Sequence, residues 1–180
     1  MELALGTATL ASFRNMQNKK DIGKFLREAY SAGLRHIDTA PLYSSLDAEL
    51  LVGKFLPESQ YPDLSISSKF GFKYSRLPYP INRMAMRLQT SSDESNLFRI
   101  QNADPLLELN RTLKRLKRSQ LDTFYFHGVT KNVRYEMQID KMNDLKKSGR
   151  IGNIGLSTNQ LLNDIPPSID ILQIPFSNLS

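Results

Sequence analysis

The chain has 180 residues, 40% of them hydrophobic and 23% charged, with a formal net charge of +6, a balance ordinary for one globular domain. The absence of cysteine excludes disulfides, thiolate zinc sites and cysteine nucleophiles, and no run of eighteen apolar residues exists to span a membrane as a helix. The positive charge admits nucleic acid, an anionic surface or a phosphate-bearing cofactor as partner.

In chain order, Leu3–Thr7 reads as a short strand. Glu2 stands where a secretory leader would be basic, so this apolar start is not read as one. Ile22, Phe25, Leu26, Ala29 and Ala32 fall at helical spacing and Gly33 supplies a left-handed stop. Leu34–Asp38 is the second strand. Leu46, Leu50, Leu51 and Phe55 outline the next helix, which ends before Pro57. Leu64–Lys69 is the third strand, and its last residue is a lysine. A long polar stretch from Phe70 to Asn102 follows, of a length usually functional or disordered.

Asp104-Pro105 opens a helix as N-cap and first-turn proline. Its predicted buried stripe is Leu106, Leu109, Leu113 and Leu116. Arg111, Lys114, Arg115, Lys117 and Arg118 are read as its solvated outer face rather than as a nucleic-acid surface. Leu121–His127 is the fourth strand, and Ile139, Met142 and Leu145 lead a helix to Gly149. Ile151–Ser157 is the fifth strand, a short helical turn fits between Thr158 and Leu162, and Ile169–Ile174 is the sixth strand. Strands that alternate with helices predict a parallel α/β fold. No GxGxxG follows the first strand, which favours a (β/α)8 barrel over the dinucleotide-binding fold.

In a parallel barrel the carboxyl ends of the strands share one rim. That places Asp38, Lys69, His127, Ser157 and Gln173 around one mouth, with Tyr43 just beyond Asp38. Each has an ordinary reading: a turn cap, a solvated lysine, rim packing, a satisfied strand-end histidine. Together they suit one chemistry. A tyrosine near pH 7 is a poor acid, and a nearby ammonium lowers its pKa. A carboxylate holds that ammonium, and a neutral imidazole can donate to a carbonyl. This set makes a proton donor for a carbonyl being reduced.

The segments LGTATL, AGLRHIDTAPLY with Glu49 and Gly53 beyond it, ISSKFG, LNRTLKRLKRSQLDTFYFH, KKSGRIGNIGLS and the Gln173 strand occur in order. They resemble the successive landmarks of the aldo-keto reductases from about Leu3 to the last residue. The resemblance implies one partial domain over residues 1–180, a (β/α)8 barrel truncated after the sixth strand, since such barrels usually take ~250 residues. It also implies metal-free, NAD(P)H-dependent reduction of aldehyde or ketone carbonyls, or the reverse reaction. The catalytic set would be Asp38, Tyr43, Lys69 and His127, with Tyr43 as general acid, Lys69 lowering its pKa, Asp38 holding Lys69 and His127 orienting the carbonyl. Ser157 and Gln173 would hold the nicotinamide carboxamide. Thr158 stands where the family usually has asparagine, and Asn159 comes one place late. The remaining expectations are NADP(H) in preference to NAD(H), a small carbonyl or sugar-like substrate, a cytoplasmic location, no membrane or nucleic-acid partner, and self-association through open sheet edges. The competing reading is a non-catalytic reductase-like regulatory or interaction protein, or an inactive truncated fragment.

Overall fold

Six short segments with apolar residues at alternate positions form strands, and helices with a single apolar stripe cover one side of them. The computed structural model describes residues 3–10, 19–71, 100, 103–130, 135–160, 162 and 164–175. Its strands are β1 (Ala4–Gly6), β2 (His36–Asp38), β3 (Ser65–Phe70), β4 (Leu121–Phe126), β5 (Ile151–Ser157) and β6 (Ile171–Gln173). The helices are α1 (Lys19–Ser31), α2 (Tyr43–Leu46), α3 (Ala48–Phe55), α4 (Pro105–Leu116) and α5 (Ile139–Lys147). Every strand pair is parallel and the order in the sheet is the order in the chain. Parallel neighbours wound one after another, with a helix between every pair except β5 and β6 among the described residues, are successive units of a (β/α)8 barrel, and the six strands make a half-barrel of that fold. No helix among the described residues is long and apolar enough to cross a membrane.

The strand period of two divides the sheet into two chemical faces. Ile37, Ile66, Phe70, Phe124, Phe126, Ile154 and Leu156 enter one core with Leu26, Val52, Leu109, Leu113, Leu116 and Met142 from the helices. The alternate positions face the inside of the half-barrel. There Asp38, Ser67, Thr123 and Asn153 are linked by register, as are Lys69, Tyr125 and Gly155 in the next layer. Barrel interiors are usually filled by branched aliphatics; this one is polar at the level of the site.

Helix ends follow their local chemistry. The Asp104 carboxylate accepts from Leu106 N, which caps α4 ahead of its first-turn proline. Gly33, two residues past the end of α1, takes φ +100, a conformation that side chains rarely adopt. Gly53 marks the closest approach of two helices, since a Cβ there would overlap the Arg115 carbonyl and Leu116.

The structure corrects several sequence expectations. Ala32 is exposed and Ala29 only half-buried, because the buried face of α1 runs through Ile22 and Leu26. Leu106 is 46% exposed and Leu50 38%. The α4 stripe is centred on Pro105, Leu109, Thr112 and Leu116, which leaves Leu106 at its margin. Arg115 and Arg118 do not belong to a solvated face. Arg115 Nε pairs with the buried Glu49 carboxylate at 2.5 Å, and the Arg118 guanidinium donates to the carbonyls of Leu56 at 3.1 Å and Leu64 at 3.3 Å. Both side chains are drawn inward because buried acceptors there need donors. Residues 72–99, 101 and 102 of the long polar stretch and residue 161 of the predicted turn lie outside the described residues.

Candidate active site

The loop after β2 is hung from the loop after β1. Thr7 Oγ1 donates within a 2.8 Å contact to Thr39 Oγ1. Ser44 N donates to Ala8 O at 3.1 Å, and Ser44 Oγ to Thr7 O at 3.0 Å. Ser44 takes φ 52, a left-handed conformation unfavourable for a non-glycine residue, and these bonds offset its cost. Tyr43 immediately precedes it and opens α2, so the tyrosine stands on an anchored turn rather than in an unconstrained loop.

Lys69 is the centre of the site. It is 1% exposed, which overturns the solvated reading of this lysine. Its ammonium donates to Asp38 Oδ1 at 2.5 Å and lies 3.4 Å from the Thr39 carbonyl. The same nitrogen sits 5.2 Å from the centre of the Tyr43 ring and 5.3 Å from that of Tyr125, within the reach of cation–π attraction. The Tyr43 and His127 rings meet edge to face with centroids 6.0 Å apart. His127 directly follows β4, and its backbone N–H donates to Phe70 O at 3.0 Å. Asp38, Tyr43, Lys69 and His127 are therefore brought together at the carboxyl ends of β2, β3 and β4.

Burial sets the protonation states. It pushes the Lys69 pKa down, against the opposing charges of Asp38 and Glu49. His127 is lowered from 6.5 to about 3, by burial first and by the positive charge of Lys69 second; its imidazole is neutral near pH 7. The Tyr43 phenol moves opposite to the expectation. Burial, then the Asp38 charge, push it well above its ordinary value. The ammonium lies over the ring, its charge already countered by Asp38, and does not overcome those two effects. Tyr43 keeps its proton.

Ser157 and Gln173 end β5 and β6 as register partners, which places their side chains side by side on the inner face. Thr158 is 4% exposed. Its hydroxyl donates to Val129 O at 2.7 Å and accepts from Gln160 N at 3.0 Å, so it ties the loops after β4 and β5 together. Asn159 is exposed beside it. Three residues escaped the sequence reading: Tyr125 beside Lys69, and the pair His36 and Ser67, joined by a 2.9 Å hydrogen bond. Each stands two positions before a residue that was singled out, His127, Asp38 and Lys69 respectively. The strand period alone would have found them.

Comparison with known proteins agrees with this architecture. The aldo-keto reductase AKR11C1 from Bacillus halodurans, in its holo form, superposes with a TM-score of 0.69 at 21% identity, over 97% of this chain and 53% of that one. The Bombyx mori aldo-keto reductase AKR2E4, solved in complex with NADP, gives a TM-score of 0.57 at 20% identity over 86% of this chain and 46% of that one. At such identities the likeness concerns the fold. A Schizosaccharomyces pombe protein, named provisionally as an aryl-alcohol dehydrogenase, is 27% identical over 149 residues, 79% of this chain and 46% of its own length. The chain thus spans about half the length of the relatives it matches. The sequence model of the aldo/keto reductase family matches residues 2–178, and with this inner-face site on a half-barrel of that fold, the chain belongs to the aldo/keto reductase family.

Proposed function

We propose that this chain carries the catalytic half of a nicotinamide-dependent reductase that converts small aldehydes or ketones to alcohols, or runs the reverse reaction. The observation that carries the reading is Lys69: a lysine 1% exposed, paired with Asp38 at 2.5 Å and set under the Tyr43 ring. Burying an ammonium is costly, and a structural role would be served as well by an aliphatic side chain.

The roles follow from the protonation states. Tyr43 holds a proton that it can deliver to a carbonyl oxygen as negative charge develops there. The phenolate left behind is stabilised by the Lys69 ammonium, which Asp38 holds in place. His127 is neutral at physiological pH and suits a donor that orients the carbonyl without competing for its proton. Ser157 and Gln173 fit the carboxamide of a nicotinamide, because a hydroxyl beside an amide offers donors and acceptors to both ends of that group. When bound, the nicotinamide would supply the hydride. Thr158 and Asn159 complete the candidate cofactor-binding set, with Thr158 holding the loop that follows Ser157. A bias toward NADP(H) is favoured by the net charge of +6 and by structural neighbours solved with NADP or NADPH. The substrate class is a small carbonyl compound, aldehydic, ketonic or sugar-like.

The test is NADPH consumption with a panel of simple aldehydes and ketones. Tyr43→Phe should lower kcat by roughly 10²–10⁴ while cofactor binding, followed by fluorescence, is largely retained. Lys69→Met should do comparable damage. Turnover in Tyr43→Phe near that of the unmodified protein would assign the proton to another group and end this reading.

A further inference from the structure

On the inner face of β2 and β3, His36, Ser67 and Asp38 form a hydrogen-bonded chain that ends at the Lys69 ammonium. His36 Nε2 lies 2.9 Å from Ser67 Oγ, Ser67 Oγ lies 3.3 Å from Asp38 Oδ1, and Lys69 Nζ lies 2.5 Å from the same carboxylate oxygen. Asp38 and Ser67 are register partners. His36, two residues earlier on β2, shares their face and reaches Ser67 diagonally.

The chain has a direction. A serine hydroxyl carries one hydrogen. Its candidate acceptors are Asp38 Oδ1 at 3.3 Å, the Ile37 carbonyl at 3.5 Å and, were the imidazole hydrogen on Nδ1, His36 Nε2 at 2.9 Å. Of these the carboxylate alone carries a charge, and charge-assisted hydrogen bonds are the stronger. A Ser67 that donates to Asp38 must accept from His36, which requires an imidazole hydrogen on Nε2. Ser67 is 1% exposed, so water cannot readily replace either bond.

We propose that His36 is a positioning residue of this site: its Nε2–H aims the Ser67 hydroxyl at Asp38 and thereby fixes the carboxylate that holds Lys69. The proposal rests on the reductase reading of the Asp38–Lys69 pair. A single partner at 2.5 Å would leave Asp38 free to rotate about its side-chain bond. A second donor from an adjacent strand on the same oxygen restricts it, and the Lys69 ammonium with it.

The tautomer decides the question, and it is measured without cofactor or turnover. The chain has two histidines, so a long-range proton–nitrogen NMR spectrum of the full chain shows two imidazoles, assigned with a His127→Gln variant. The neutral His36 ring should be the Nε2–H tautomer in the unmodified protein and a mixture in Ser67→Ala. A fixed Nδ1–H tautomer, or a His36 signal unaffected by Ser67→Ala, overturns the proposal. If Ser67→Ala does not fold, the tautomer of the unmodified protein still decides. In the reductase assay His36→Leu should lose kcat about tenfold with KM little changed, as expected for one lost hydrogen bond to a charged group. His36→Gln, which keeps a donor, should recover most of it; equal loss in both variants counts against positioning. A protein with no reductase turnover at all overturns the functional reading of the site, while the tautomer still decides whether His36 holds Asp38.

Discussion

At the scale of single residues, burial holds Tyr43, Lys69 and His127 away from their ordinary pKa values. His127 gives the clearest consequence. It binds its proton near 6.5 in the unfolded chain and near 3 in the folded one. Between those values the unfolded state binds more protons, so stability is full above about pH 6.5 and falls as pH drops toward 3. Urea unfolding of the wild type and of His127→Gln at pH 7 and about pH 4 should show a smaller pH effect in the variant. An equal effect would mean that His127 is not held neutral by the fold. Tyr43 teaches a different lesson. The sequence places a tyrosine near a lysine, and reference chemistry then predicts an acidified phenol. The fold buries that phenol beside Asp38, and burial wins. Residue types were legible in the sequence, but their pKa values were not, because desolvation and the order of charges around a group exist only once the chain is folded.

At the scale of elements, the helical layer is locked by one buried carboxylate. Glu49 on α3 is 1% exposed and accepts from Ser68 Oγ of β3 at 2.6 Å, Thr112 Oγ1 of α4 at 3.1 Å and Arg115 Nε of α4 at 2.5 Å. One turn along α3, Gly53 lets the α4 backbone approach. Gly53→Ala should cost roughly 1–3 kcal/mol through overpacking. Arg115→Met, which strands the buried charge, should cost about 3–5 kcal/mol. Denaturant midpoints with unchanged slopes would check both. A neutral effect of Arg115→Met would show that the remaining donors, Ser68 and Thr112, suffice for Glu49. The sequence pattern placed α4 correctly through its N-cap and leucine spacing, yet assigned Arg115 and Arg118 to solvent. A period of 3.6 identifies the apolar stripe; it does not reveal that polar positions beside the stripe face buried acceptors on neighbouring elements.

At the scale of the whole molecule, the described sheet has β1 and β6 as its edges, each three residues long. Leu3 is 69% exposed, Leu172 44% and Ile174 57%. Unpaired strand edges flanked by exposed apolar residues favour pairing with another chain, so the 180-residue chain is expected to self-associate. Size-exclusion chromatography over a dilution series should show concentration-dependent elution, reduced by Leu172→Lys and Ile174→Lys; a monomer at every concentration would remove the expectation. The succession of six strands, the helices between the first five and the strand-end positions of Asp38, Lys69, His127, Ser157 and Gln173 were legible in the sequence. Hydrophobic periodicity, caps and strand-end positions are local signals, and parallel winding sends every strand end to the same side. The tertiary structure alone decided which neighbours those side chains meet: Ser67 between His36 and Asp38, Tyr125 beside Lys69, Thr158 turned to the Val129 carbonyl. Such contacts cross from one strand to the next, and they depend on register and burial, which no single segment of the sequence contains.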